Sequence, residues 1–104
     1  DVYFGHRNDV EGFAKALKEF DDFIPAFLEN LNPTDRVIFT ADHGNDPTTP
    51  STDHSREYVP ILYFGKNKPV SNLGIRNTFA DVGKTAAEYF KIENDLRGTS
   101  FLNE

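Results

Sequence analysis

Between Val10 and Leu31 the apolar residues are Val10, Phe13, Ala14, Leu17, Phe20, Ile24, Phe27, Leu28 and Leu31. Steps of three and four put them on one continuous stripe of a helix. Five of the nine carry branched aliphatic side chains and three are phenylalanines, so the stripe is expected to pack in a core. Asn8 or Asp9 can cap the helix, and Glu11 adds a favourable charge to its first turn. Pro25 is expected to kink the helix or split it in two. Asn32-Pro33-Thr34-Asp35 ends it.

The remaining segments are expected to supply its cover. Arg36 to Ala41 (RVIFTA) is a short β-branched and aromatic run that reads as a buried strand. Val59 to Phe64 (VPILYF) reads as a second, with Pro60 near its start. Asp1 to Phe4 is expected to be a short strand, followed by a turn at Gly5-His6-Arg7-Asn8. A helix is expected from Asn77 or Thr78 to Phe90, with Phe79, Val82, Ala86 and Phe90 facing inward. The tail from Glu93 is polar apart from Leu96 and Phe101-Leu102. Alternating strands and helices predict an α/β fold, a mostly parallel sheet flanked by helices. In such sheets ligand sites form at the carboxyl ends of strands.

Composition narrows the function. The 104 residues are one domain or less, and the formal net charge is −6. That balance argues against nucleic acid as a partner, because phosphate backbones demand clustered Lys and Arg. It suits a protein that binds cations. With no cysteine there are no disulfides and no thiolate metal sites. No apolar run approaches the roughly 20 residues needed to span a bilayer, so no membrane partner is expected and the cytoplasm is the default compartment. The chain contains no Met and opens on Asp1-Val2-Tyr3, a beginning expected inside a longer polypeptide.

The stretch TADHGNDPTTPSTDHSREYVPILYFG, Thr40 to Gly65, holds two of the three histidines, each directly after an aspartate. Five side chains stand out as candidate metal ligands: Asp1, His6, Asp42, His43 and His54. Imidazole nitrogen with carboxylate oxygen suits zinc, manganese or iron rather than calcium. Adjacent residues of a strand point to opposite faces. Asp42 and His43 share one ion only if the chain has already bent there; otherwise they reach it from different sides or bridge toward two. The plainer reading makes Asp42 a turn residue and His43 and His54 surface histidines. Against it, all three histidines fall at strand ends or in the same loop. Asp53 is expected to orient an imidazole rather than to ligate. Thr48, Thr49 and Thr52 are expected to hydrogen-bond within the loop.

The same stretch resembles the phosphopentomutases, a family of the alkaline phosphatase superfamily. GHRNDVEGFAKALKEFD resembles that family's preceding metal segment, and DVGKTAAEYF its last helix. The ADHG element is shared with other superfamily members, including cofactor-independent phosphoglycerate mutase; DPTTPSTDHSREYVP is the specific part. The resemblance covers the chain as the C-terminal portion (1–104) of an alkaline-phosphatase-like core, without the N-terminal core segment and the cap domain. It implies two divalent ions, manganese in that family. One is held by Asp1, His6 and His54. Asp42 and His43 form part of the set for the other. It further implies a pentose phosphate substrate, a sugar bisphosphate activator and interconversion of ribose or deoxyribose 1-phosphate and 5-phosphate. The phosphoryl group would pass through a phosphothreonine that lies outside this chain, so no catalytic nucleophile is assigned here. The competing readings are a phosphoglycerate mutase or other phosphotransferase of the superfamily, and a non-catalytic binding domain on the same fold.

Overall fold

The apolar stripe forms a single helix, α1, Val10–Glu29. Asp9 is its N-cap: the carboxylate accepts from Gly12 N–H at 2.9 Å, satisfying one of the donors a helix start leaves open. Pro25 lies inside α1 without ending it. Part of the stripe meets two strands, β1 Arg36–Thr40 and β2 Ile61–Gly65, but the expected cover is incomplete: no residue of α1 is buried, and Val10, Leu17 and Phe20 are exposed. Phe20 meets Phe39 of β1 edge to face at 5.4 Å, Phe27 lies 6.1 Å from the same ring, and Phe39 meets Phe64 of β2 at 5.7 Å. Each such pair contributes about 0.5–1.5 kcal/mol beyond its buried area. These contacts stabilise the proline-containing helix where its own backbone is weakest.

The computed structural model describes residues 2–104. They fall into two units, one reaching Lys68 and the other Pro69–Glu104. The first holds α1, β1 and β2. Its strands pair antiparallel, in register from Arg36↔Gly65 to Thr40↔Ile61. The expectation of a mostly parallel sheet is thus not met by the strand pair among the described residues; the coarser α/β class stands. The reason is the connection. Parallel neighbours need a crossover, usually a helix, whereas residues 41–60 form an irregular loop that returns the chain beside its own strand.

The expected first strand is also corrected. Residues 2–8 are turns, and Asp1 lies outside the described residues. Asn8 N–H donates to Gly5 O and Asp9 N–H to Phe4 O, while Asn8 adopts φ 52°. Asparagine tolerates that left-handed conformation better than most residues.

The second unit contains α2, Ala80–Tyr89. Its inward face is not the expected one. Phe79, Ala86 and Phe90 are exposed, and Asp81, Thr85 and Ala87 are buried. The tail explains the reversal. Asp81 accepts from Arg76 Nε at 2.7 Å and from Thr99 N–H at 2.9 Å. Thr85 Oγ1 donates to Asp81 O and accepts from Phe101 N–H. Phe101 is fully buried, and Arg76 lies over its ring. The polar tail is therefore strapped to α2 by paired polar groups, and the face carrying them must turn inward. Thr99 N–H and, against the opposing effect of burial, Arg76 hold the Asp81 carboxyl below its ordinary value. The helix ends where Lys91 turns left-handed at φ 55° and Ile92 N–H reaches back to Ala87 O.

Candidate metal centre

β1 ends at Thr40, and Asp42 and His43 follow within three residues. The loop then returns to itself. Ser55 N–H donates to Gly44 O at 3.1 Å, forming an isolated antiparallel bridge between Gly44 and Ser55. Gly44 is required there, because a Cβ would lie 2.4 Å from Ser55 O and 2.7 Å from Glu57 N. The bridge brings together the residues that precede its two members. The His43 and His54 rings stack at 3.5 Å with 16° between their planes.

His6 joins them from the turn before α1. Its ring lies 4.9 Å from that of His54, and its Nδ1 donates to Thr52 O at 2.5 Å. The three imidazoles thus form a row of contacts in which the His54 ring touches both of the others. His43 Nδ1 likewise donates to a backbone carbonyl, Gly44 O, at 3.0 Å. A carbonyl can only accept, so in both rings Nδ1 carries a proton, and in the neutral imidazole the lone pair is then on Nε2. Histidines that ligate metals are usually anchored this way through their other nitrogen. His43 Nε2 also lies 3.5 Å from Asp42 Oδ1. In this tautomer both atoms are acceptors, and a cation satisfies two facing acceptors. Neighbouring ligands of one ion bound at about 2.1 Å are separated by about 3–3.5 Å.

The donor types, imidazole nitrogen beside carboxylate oxygen, therefore suit a divalent ion. The arrangement is a pair of donors beside a stacked row rather than a closed cage: among the described residues, no group of three or more His, Asp or Glu is disposed around a common point. Asp42 is exposed and His43 partly buried. Asp53 is exposed, with its backbone N–H donating to Ser51 Oγ at 3.0 Å. Asp1, the fifth expected ligand, lies outside the described residues.

Two of the three loop threonines, Thr48 and Thr49, are bound to the loop itself. Thr48 Oγ1 donates to Asp46 Oδ1 at 2.6 Å, Thr48 N–H to the same oxygen at 2.9 Å, and Thr49 Oγ1 to Asp46 O at 3.0 Å. The Thr48 hydroxyl and then its N–H hold the Asp46 carboxyl below its ordinary value. Three residues that sequence reasoning passed over also border the row: Asn8, Asn45 and Ser55. Each has a buried side-chain polar atom without a hydrogen-bond partner. Only the neighbouring glycines, Gly5 and Gly44, hinted at such close packing.

The model of the metalloenzyme superfamily matches residues 1–94, and the chain belongs to that superfamily. Among curated proteins it is similar to the phosphopentomutase of Dictyoglomus turgidum, 62% identical over 105 residues, covering all of this chain and 27% of that protein. It is 60% identical to the phosphopentomutase of Dictyoglomus thermophilum, over 99% of this chain and 26% of that protein. It is 59% identical to that of Acetivibrio thermocellus, over 98% and 26%. The chain thus spans about a quarter of the length of the curated relatives it matches. No helix among the described residues is long and apolar enough to cross a membrane.

Proposed function

We propose that this chain supplies metal ligands to a phosphopentomutase, which interconverts ribose or deoxyribose 1-phosphate and 5-phosphate. The observation that carries the reading is the 59–62% identity to phosphopentomutases over 98–100% of the chain. The convergence of His6, His43 and His54 in one row supports it. The chain is the C-terminal portion of the metal-binding core, and its residues hold two divalent ions, manganese by preference.

Asp42 and His43 share one ion, in keeping with the 3.5 Å between their facing acceptors. His6 and His54, with Asp1, serve the other. The ions' contribution is to neutralise charge on the phosphoryl oxygens and to favour the ionised form of the nucleophile. The protein's own part is placement. Thr52 O and Gly44 O fix the tautomers of His6 and His43, and the Gly44–Ser55 bridge holds His54 against His43. Asp53 orients the His54 region rather than ligating. As the family resemblance implies, the phosphoryl group passes through a phosphothreonine supplied outside this chain; Thr48 and Thr49 are hydrogen-bonded to Asp46 within their own loop. The setting is cytoplasmic, with a pentose phosphate as substrate, a sugar bisphosphate as activator, and neither nucleic acid nor membrane as partner.

The test is turnover by the full-length protein with manganese on ribose 1-phosphate and on 3-phosphoglycerate. Conversion of the first alone is expected. Conversion of 3-phosphoglycerate alone would replace this reading with a phosphoglycerate mutase.

A further inference from the structure

Among the described residues, the buried side-chain polar atoms without a partner are Asn8 Oδ1, both amide atoms of Asn45, and Ser55 Oγ. All lie at one junction. Asn8 N–H donates to Gly5 O, and Ser55 N–H to Gly44 O, the residue before Asn45. Asn45 itself is pressed onto the turn that carries His6. A Cβ at Gly5 would lie 2.1 Å from Asn45 Nδ2, 2.6 Å from its Cγ and 2.7 Å from its Oδ1. The carboxamide therefore occupies the space beside Gly5 that any other residue would fill.

An unpaired buried amide is unfavourable, and an apolar side chain of the same shape avoids that cost. A polar group kept at such a place points to a task other than stability. We propose that Asn45 is a positioning residue of the metal centre. Its carboxamide docks the Gly5-His6 turn onto the loop bearing His43 and His54, and so sets the separation of His6 from the other two imidazoles. The proposal rests on the ligand assignment above and adds to it the group that holds one ligand in register with the rest.

The experiment titrates Mn2+ alone into the full-length protein by calorimetry, with Asn45→Ala, Gly5→Ala and the double variant. Asn45→Ala is expected to weaken the ion assigned to Asp1, His6 and His54 by about 10–100-fold, the usual effect of removing a group that orients a ligand. The ion assigned to Asp42 and His43 should change by no more than about twofold. Gly5→Ala should give the same selective loss, because its methyl collides with the amide. Truncating Asn45 makes room for that methyl, so the double variant should fall short of the product of the two single losses. In the metal-free protein, the NMR ring resonances of His6 should shift in Asn45→Ala, and those of the His43–His54 stack should hold. Equal weakening of both ions, unchanged binding, multiplicative losses or an unmoved His6 would each overturn the proposal. A wild-type protein that binds no Mn2+ overturns the ligand assignment instead. The metal-free spectra then decide the role of Asn45 by themselves.

Discussion

Removing the Asp81 carboxylate is expected to release the tail from α2. Its side chain is 7% exposed and that of Arg76 is 17% exposed, so the pair is largely shielded from water. Asp81→Ala leaves the Arg76 guanidinium without its closest anion and Thr99 N–H without its acceptor. Arg76 keeps Glu104 Oε2 at 3.6 Å and the Thr99 carbonyl at 2.8 Å. The cost is therefore that of lost hydrogen bonds rather than of a bare buried charge, about 1–3 kcal/mol. Asp81→Asn keeps an acceptor for Thr99 and should cost about half of that. The readout is amide hydrogen exchange at Thr99 and Phe101, with urea unfolding for the total. Exchange at both amides should accelerate in Asp81→Ala, more than in Asp81→Asn. The pH dependence has a definite sign. The folded carboxyl sits below its ordinary 3.8. Its contribution is therefore complete above that value and is lost as pH falls through the lower folded one. Below pH 3.8 the wild type should converge on Asp81→Asn. Unchanged protection at Thr99 and Phe101 in Asp81→Ala would refute the strap.

Two further substitutions probe the same packing. Gly98→Ala should destabilise by about 1–3 kcal/mol, since its methyl would lie 2.5 Å from the Ala80 carbonyl; urea unfolding reads the loss. Thr85→Val keeps the shape but leaves the buried Phe101 N–H without its hydroxyl acceptor. It should cost about 1–3 kcal/mol and raise exchange at that amide.

Much of the first unit was legible in the sequence. The apolar period of α1 and the β-branched runs of β1 and β2 are local signals, and the helix start at Asp9 follows from capping chemistry. Strand direction is not local. It depends on whether residues 41–60 cross over or turn back, and their Pro and Thr content excludes a helix without saying which. The inward face of α2 failed for another reason. Periodicity assumes that apolar residues point inward, whereas the tail is anchored by Asp81, Thr85 and Arg76. The histidines were singled out by residue type, but their stacking needs the Gly44–Ser55 bridge, an eleven-residue closure that no local pattern encodes. Asn45 gave no signal at all, since its place is set by contact with Gly5, forty residues earlier in the chain.

The most direct test of the histidine row as a metal centre is His43→Ala and His54→Ala in the full-length protein, assayed for manganese binding and mutase turnover. Losing a ligand should cost more than losing a group that orients one, so each should lose at least about 100-fold in turnover, with weakened ion binding. Undiminished turnover and unchanged manganese binding in both variants would contradict it.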